Sequence, residues 1–220
     1  MTGPRLVAAR QLPEVLDALA AGRAVAVPGD GGYQLAVSHN LRDAVAMLQE
    51  RWPDTAEAGP QIAVGRRSQA AELTPHWSRE VSQLTDRMWP GPLTVIVPAR
   101  VDECLPSHQR DRVVYLTMPA WRPLRVLCRQ SGPLVVKALR RADGERLVTA
   151  EEVHTHLTGE DVALVLDGGL RRDPGSTVVD CTLSPPRVRR VGALPESYVE
   201  AALLMGARRH RWSTRRSDPR

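Results

Sequence analysis

The segment from Val162 to Pro195 reads VALVLDGGLRRDPGSTVVDCTLSPPRVRRVGALP. Its β-branched runs, separated by glycine and proline, predict three short strands joined by turns. Two of the junctions carry polar groups that can hold an anion: Gly168-Gly169 with Gly175-Ser176-Thr177, and Arg190-Val191-Gly192. The segment therefore predicts an anion-binding edge of a β-sheet.

The rest of the chain has the composition of a soluble globular protein. It has 220 residues, of which 42% are hydrophobic and 25% charged, enough to bury one sizeable core. Cys104, Cys128 and Cys181 are odd in number and far apart, so we expect buried, reduced thiols and not a disulfide framework or a zinc pair. Residues 1–23 lack an apolar stretch of signal-peptide length, and nothing later approaches a membrane span. We expect a cytoplasmic protein with no membrane partner.

Helical and strand patterns alternate along the first part of the chain, and strands dominate after Val162. This order predicts a single α/β domain over residues 1–205, with a twisted mixed sheet partly covered by flanking helices. The predicted helices are 12–21, a helix capped by Asn40, 78–88, 123–130, one opened by the capping box Thr149/Glu152, and 196–205. The predicted strands outside the opening segment are 24–27, 61–64, 93–97, 112–116 and 134–136.

Residues 206–220 form a basic tail. They contain six arginines and one aspartate, a difference of +5 that equals the net charge of the whole chain. An arginine-rich arm with Trp212 in it could bind RNA or DNA, or it could be a solvated, flexible terminus. Arginine accounts for 29 of the 30 basic residues of the whole chain, so its abundance in the tail is not specific evidence for nucleic-acid binding. Both interpretations therefore stay open.

Several common sites find no support in the sequence. The loop Gly29-Asp30-Gly31-Gly32 follows a predicted strand but matches neither G-x-G-x-x-G nor the Walker pattern, and the chain's one lysine, Lys137, is distant from it. His154 and His156 are two apart on a predicted helix, so they face different directions and cannot share a metal ion there. No serine lies in a G-x-S-x-G elbow. We therefore predict no metal site built from protein side chains and no hydrolase triad.

Four short motifs occur in a fixed order: Trp89-Pro90-Gly91-Pro92-Leu93-Thr94, Leu166-Asp167-Gly168-Gly169, Ser176-Thr177-Val178-Val179-Asp180 and Arg190-x-Gly192. Each one alone is a common turn, but the ordered set is specific. It resembles the YrdC-like family, which includes the threonylcarbamoyl-AMP synthases of tRNA modification. The resemblance covers residues 12–194 and implies a YrdC-like fold.

Members of this family use ATP, with magnesium, together with bicarbonate and threonine, and they release pyrophosphate. The resemblance implies nucleotide contacts from Arg51, Ser176, Thr177 and Arg190. It also implies a substrate pocket with Asp30 and Tyr33, because the family pattern P-T-D/E-T-x-Y-G-L keeps its proline, acid, tyrosine and leucine in residues 28–35. The hydroxyls of Ser176 and Thr177 could equally cap their own backbone. For Trp89 to Pro92 we favour a role in folding.

The chain departs from the family at the groups that would face phosphates. Both threonines of the first motif are glycines, Gly29 and Gly31, and its glycine is Gln34. The K-x-R element corresponds to Gln49-Glu50-Arg51, and R-x-P corresponds to Thr117-Met118-Pro119. The S-x-N element corresponds to Ala138-Leu139-Arg140, where Lys137 and Arg140 could resupply the missing charge.

Loss of fixed cations from a phosphate pocket removes transition-state stabilisation. We therefore predict a homologue without full synthase activity that binds a nucleotide or RNA and could act as the partner of a competent enzyme. Two alternatives stay open: an active threonylcarbamoyl-AMP synthase, and a different nucleotide-dependent enzyme on the same fold.

Overall fold

The computed structural model describes residues 3–53, 61–100 and 112–213, with side chains as far as Leu204. In these ranges ten strands form one sheet and seven helices pack around it. The strands are β1 (Arg5–Ala8), β2 (Ala24–Gly29), β3 (Gly32–Ser38), β4 (Gln61–Ala63), β5 (Leu93–Pro98), β6 (Val113–Thr117), β7 (Leu134–Ala138), β8 (Val162–Asp167), β9 (Thr177–Asp180) and β10 (Arg187–Arg190). The helices are α1 (Leu12–Ala20), α2 (Arg42–Arg51), α3 (Arg67–Glu72), α4 (Arg79–Met88), α5 (Arg122–Ser131), α6 (Ala150–His156) and α7 (Glu196–Ser213).

The sheet is mixed, as predicted, with the order β1-β8-β2-β3-β7-β4-β6-β5-β9-β10. Strands β1 and β2 run parallel to β8, β4 runs parallel to β6, and β5 runs parallel to β9. The central strands β2, β3, β7 and β4 are joined in antiparallel pairs. Helices lie on both faces, so each face buries its own apolar cluster.

The two clusters follow from the helix patterns. On one face, α1 and α5 pack together and place Val15, Leu19, Leu124 and Leu127 on the sheet with no exposed surface. The other face is covered by α2, α3, α4, α6 and α7, and it holds the larger cluster. The predicted single α/β domain is therefore confirmed for the described residues.

The predicted strands of residues 162–195 all form, but they do not lie together. Strand β8 lies between β1 and β2 near one end of the sheet order, whereas β9 and β10 lie at the other end. The three strands therefore do not form one continuous edge, but Gly175, Ser176 and Arg190 of this segment lie around one cleft. The connection from β8 to β9 instead spans the sheet, which brings Gly175 and Ser176 over the central strands.

Other boundaries also differ from prediction. The sequence analysis missed β1, β3 and α3, and Asn40 does not cap α2, whose N-cap is Leu41 with no side-chain hydrogen bond. The capping box of α6 is confirmed, since both reciprocal bonds of Thr149 and Glu152 are present. Helix α7 continues to Ser213, eight residues beyond its predicted end. The side chains of the predicted tail, residues 206–220, lie outside the described residues.

Two of the three cysteines can be placed. Cys128 is buried, Cys181 is half-buried, and neither forms a disulfide. Burial raises the pKa of both thiols to about 12, so they stay protonated at neutral pH. Cys104 lies outside the described residues. None of the described helices has the length and apolar character needed to cross a membrane.

Candidate functional site

An open cleft lies over the central strands of the sheet. It is walled by the turn between β2 and β3, the ends of β6 and β7, the hairpin after β7, the residues before β9 and the end of β10. Its lining residues are Asp30, Gly31, Gly32, Tyr33, Gln34, Gln61, Thr117, Pro119, Val136, Ala138, Arg140, Arg146, Gly175, Ser176 and Arg190.

Asp30 and Tyr33 lie in this pocket, as the resemblance implied. The Asp30 carboxylate accepts a hydrogen bond from the Ala120 backbone at 3.2 Å. Burial raises the pKa of Asp30 above its ordinary value, and the nearby Asp173 carboxylate adds to the rise. The Tyr33 hydroxyl donates to the Gly169 carbonyl and accepts from the Gly168 N–H, both at 3.1 Å. Tyr33 therefore holds the Gly168-Gly169 turn in place.

The two neighbouring hydroxyls of the predicted nucleotide contacts have different surroundings. Ser176 is nearly buried and lines the pocket. Thr177 has no exposed surface, and its hydroxyl donates to the Leu194 carbonyl at 2.7 Å while accepting from the N–H groups of Gly192 and Leu194. Thr177 thus fixes the backbone after β10, and Ser176 is the one that faces the pocket.

Three arginines converge in the pocket. Arg190, at the end of β10, donates to the Ser176 carbonyl at 3.1 Å, and Arg140 donates to the Gly144 carbonyl at 2.7 Å. Arg146, the third, donates to the Gly31 carbonyl at 2.9 Å. Burial lowers the pKa of both Arg146 and Arg190, and the charge of Arg140 lowers each of them further. The three guanidinium groups therefore lie close enough to repel one another.

Sequence analysis missed Arg146, although a signal was present. Arg140 and Arg146 flank the dipeptide Asp143-Gly144, and a D-G pair between two extended segments is typical of a hairpin turn. In the structure the two arginines pair across an isolated antiparallel bridge. The hairpin therefore places both of them on the same wall.

Besides Thr177, two more predicted site residues do not line the pocket. Arg51, at the end of α2, pairs through Nε with the Glu160 carboxylate at 2.7 Å. Lys137 lies on β7 between Val136 and Ala138, which both line the pocket. Because successive side chains of a strand point to opposite faces, Lys137 faces away, and it is nearly buried there. Of the two cations at this strand end, Arg140 therefore lines the pocket and Lys137 does not.

The positions that depart from the family pattern mostly share this pocket. Gln34, Thr117, Ala138 and Arg140 all line it. The Thr117 hydroxyl donates to the Leu93 carbonyl at 3.3 Å, so its proton is already engaged. A Cβ atom at Gly29 would lie 2.7 Å from the Gln34 amide carbon, so the glycine at 29 makes room for the amide at 34.

The Trp89-Pro90-Gly91-Pro92 turn serves the fold, as favoured. The Trp89 side chain is buried, donates from Nε1 to the Leu93 carbonyl at 2.8 Å, and lies 6.1 Å from the Trp77 ring centre. None of the four residues lines the pocket. Within the described ranges, no three His, Cys, Asp or Glu side chains are placed to hold a metal ion together.

The sequence and the fold of the chain are similar to those of known proteins. A family model named for Sua5, YciO and YrdC, with the description "Telomere recombination", matches residues 17–192. The chain belongs to the Sua5/YciO/YrdC family. The YrdC-like resemblance inferred from its motifs is confirmed.

Members of the Sua5/YciO/YrdC family from several organisms are similar to the chain. It is 29% identical over 203 residues to a Mycobacterium tuberculosis protein provisionally named a threonylcarbamoyl-AMP synthase, and the match covers 90% of each. It is 26% identical over 195 residues to the Bacillus subtilis threonylcarbamoyl-AMP synthase, covering 88% of this chain and 56% of that one. The structure of the H234A/Y235A variant of Pyrococcus abyssi Sua5 superimposes with a TM-score of 0.80 at 25% identity, covering 91% of this chain and 60% of that one. The chain thus spans little more than half the length of the Bacillus and Pyrococcus proteins.

Proposed function

We propose that this Sua5/YciO/YrdC protein binds the phosphate groups of a nucleotide such as ATP in its central pocket and does not complete the threonylcarbamoyl-AMP synthase reaction. The observation that carries the proposal is the convergence of Arg140, Arg146 and Arg190 on one cleft. Guanidinium groups bind phosphate oxygens through paired, charge-assisted hydrogen bonds. The relatives' names, threonylcarbamoyl-AMP synthase, point to an adenylate as the nucleotide.

The charge balance of the lining residues supports an anionic ligand. The three arginines contribute three positive charges and Asp30 the one negative charge among the lining side chains. Burial lowers the pKa of Arg146 and Arg190, and the charge of Arg140 lowers each of them further, so a bound anion would relieve that repulsion. Ser176, which also lines the pocket, adds a hydroxyl that can donate a hydrogen bond to an anion.

The proposed loss of synthase activity has a separate basis. The family pattern implies an arginine at Thr117 and a serine at Ala138, and both positions line the pocket. A methyl group cannot donate a hydrogen bond, and the Thr117 hydroxyl already donates to Leu93. Removing one preorganised donor costs about 10²–10³-fold in rate in well-studied enzymes. Two such losses would leave a binding protein, which could work as the partner of a competent homologue.

Magnesium would accompany a bound nucleotide. Mg²⁺ is usually held by one or two carboxylates together with phosphate oxygens and water. Asp30 is the carboxylate among the pocket-lining residues, so it would be the protein ligand of an ion that enters with the phosphates. In that role the ion would offset part of the negative charge of the phosphates.

The first test is nucleotide binding by isothermal titration calorimetry with ATP and magnesium. We expect saturable binding and a loss of about tenfold or more in affinity for Arg190→Gln, since a charge-assisted bond is removed. Arg187→Gln is the matched control, because Arg187 is exposed on the same strand and does not line the pocket. Absence of ATP binding at millimolar concentration would contradict the proposed nucleotide site.

The second test is pyrophosphate release with ATP, threonine and bicarbonate, with the Bacillus subtilis synthase as positive control. We expect no threonine-dependent release. One feature favours the alternative, an active synthase: Arg140 and Arg146 restore two positive charges to a pocket that lost others. Release that requires both threonine and bicarbonate would establish that alternative and overturn the proposed loss of activity.

A further inference from the structure

Arg146 is held in the pocket by two independent sets of contacts. The hairpin turn at Asp143-Gly144 fixes the backbone, with Gly144 N–H donating to the Arg141 carbonyl at 3.0 Å. The hairpin is tied to β3 by hydrogen bonds between Tyr33 and both Leu139 and Leu147. The Arg146 guanidinium then donates to the carbonyls of Gly31 and Asp173. Its position is thus set by the backbone of three segments.

The guanidinium occupies a slot that exists because two residues lack side chains. A Cβ atom at Gly31 would lie 2.2 Å from Nη1 of Arg146, and one at Gly175 would lie 2.5 Å from the same atom. Both glycines also have positive φ angles, +95° and +85°, which other residues rarely adopt. The threonine that the family pattern implies at position 31 could not be present with Arg146 in this place. The chain therefore has a cation where the family pattern has a neutral hydroxyl.

The cation is not neutralised by the protein. Among the described residues, neither Arg140 nor Arg146 forms an ion pair with a carboxylate, although Arg141 of the same hairpin pairs with Glu145 and Glu152. The Nε of Arg140 is buried and makes no hydrogen bond within the described structure. Adjacent guanidinium groups with unused donors match an anion whose charges are themselves adjacent.

We infer that Arg146, seated in the slot between Gly31 and Gly175, selects ligands that carry two or more linked phosphate groups over those that carry one. This inference rests on the proposed function, since it concerns the same pocket. A chain of linked phosphates offers more oxygen acceptors and more negative charge to the three guanidinium groups than a single phosphate does. The ligand class is an oligophosphate, borne by a nucleotide or present as a free chain.

The test compares linked and single phosphates on the full chain. Affinities for ATP and AMP, and for tripolyphosphate and inorganic phosphate, are measured by calorimetry for the wild type and Arg146→Gln. We expect the substitution to lower affinity about tenfold or more for ATP and tripolyphosphate and less than about threefold for AMP and phosphate. Arg141→Gln is the matched control, because it removes one charge from the same hairpin outside the pocket and should change none of the four.

The outcomes separate this inference from the proposed function. Equal losses for linked and single phosphates, or no loss, would overturn the role of Arg146 while leaving nucleotide binding intact. Tripolyphosphate binding that depends on Arg146, without nucleotide binding, would uphold the inference and refute the nucleotide proposal. If the wild type binds neither ATP nor tripolyphosphate, both fail. Arg146→Lys keeps the charge and should retain most of the preference, which guards against a folding defect in the glutamine variant.

Discussion

Ser176 and Thr177 show how adjacent hydroxyls divide between binding and folding. The strand β9 begins at Thr177, and its buried hydroxyl serves three backbone groups of residues 192–194. The Ser176 side chain lies before the strand and faces the pocket. Thr177 therefore stabilises the backbone beside the site, and Ser176 lines the site.

We expect Thr177→Val to destabilise the protein by about 2 kcal/mol or more, because two half-buried N–H groups lose their acceptor and each such loss costs on the order of 1 kcal/mol. Urea denaturation measures the free energy of unfolding. Ser176→Ala is the control and should leave stability within about 0.5 kcal/mol of the wild type. Equal effects of the two substitutions would contradict the division of roles.

Asp30 leads to a prediction of pH dependence. Its pKa in the folded protein is raised, chiefly by burial, so the protonated carboxyl favours folding. That contribution is present below the ordinary Asp pKa of about 3.9 and is lost as the pH rises through the raised value. Asp30→Asn keeps an acceptor for Ala120 and cannot ionise. The gain in unfolding free energy of the variant over the wild type should therefore grow between about pH 4 and pH 7.

Thermal or urea unfolding across that pH range checks the Asp30 prediction. The prediction is wrong if the difference in unfolding free energy between Asp30→Asn and the wild type stays constant or shrinks as the pH rises. In that case the fold does not favour the protonated form of the Asp30 carboxyl. The same variant should bind phosphate ligands more tightly when magnesium is absent, since it removes the negative charge from the pocket lining.

The position of a residue in the site could be predicted where it belongs to a sequence motif. It could not be predicted where the backbone conformation determines which way the side chain points. Asp30, Ser176 and Arg190 were found from motifs, and they do line the pocket. Lys137 was assigned to the pocket because it lies near the end of a predicted strand. Its side chain points to the opposite face of the sheet, because successive side chains of a strand alternate between the two faces. Arg146 belongs to no family motif, and its place depends on two glycines far from it in sequence.

Helix α6 is an element whose start was predicted correctly from sequence. Thr149 accepts from the Glu152 N–H at 3.2 Å, while the Glu152 carboxylate accepts from Val148 and Thr149. Backbone hydrogen bonds from Val148, followed by Thr149, lower the pKa of Glu152. This box connects the pocket hairpin to the helix.

We expect Thr149→Ala to cost about 1 kcal/mol of stability, the usual price of losing an N-cap side chain. Thr155→Ala on the same helix is the control, because that hydroxyl is exposed and alanine favours a helix. Denaturant titration of both variants compares the two. A loss for Thr155→Ala as large as that for Thr149→Ala would argue against the cap as the cause.

Elements with a local signal were predicted, and those defined by pairing were missed. Helix α4 was predicted over residues 78–88 and runs from Arg79 to Met88, with the Ser78 hydroxyl accepting a hydrogen bond from the Val81 N–H. Strand β3 was missed because Gly31-Gly32 was interpreted as a loop leading to a helix, whereas it closes a hairpin with β2. Strand β1 is four residues long and exists through its parallel pairing with β8. Such pairing has no signature within four residues.

The whole molecule should fold without its basic tail. The buried residues described in α7, Val199 and Ala202, both precede residue 205, and the helix packs on α4. We expect a chain ending at residue 205 to melt within about 2 °C of the full chain, since no described buried surface is removed. Differential scanning calorimetry measures this. A markedly lower melting temperature would show that residues 206–220 belong to the domain.

The same truncation separates the two interpretations of the tail. If its arginines bind RNA, the slope of log affinity against log salt should fall by several units on truncation, because each phosphate contact releases counterions. If the tail is only a solvated terminus, the slope should stay the same. Nucleotide binding in the pocket should be unaffected in either case.

The fold as a whole could be predicted because four turns in fixed order identify a family. The order of the strands in the sheet could not be predicted, since β8 and β9 follow each other in sequence and yet lie near opposite ends of the sheet. That separation depends on long-range pairing with β1, β2 and β5. It also carries the connection between them over the sheet, where Gly175 and Ser176 complete the pocket.

The slot that holds Arg146 also couples two positions that are far apart in sequence. Any side chain at position 31 would collide with the guanidinium where it now lies, so a substitution of Gly31 requires the Arg146 side chain to move. Mutations at positions 31 and 146 should therefore be non-additive, although 115 residues separate them along the chain.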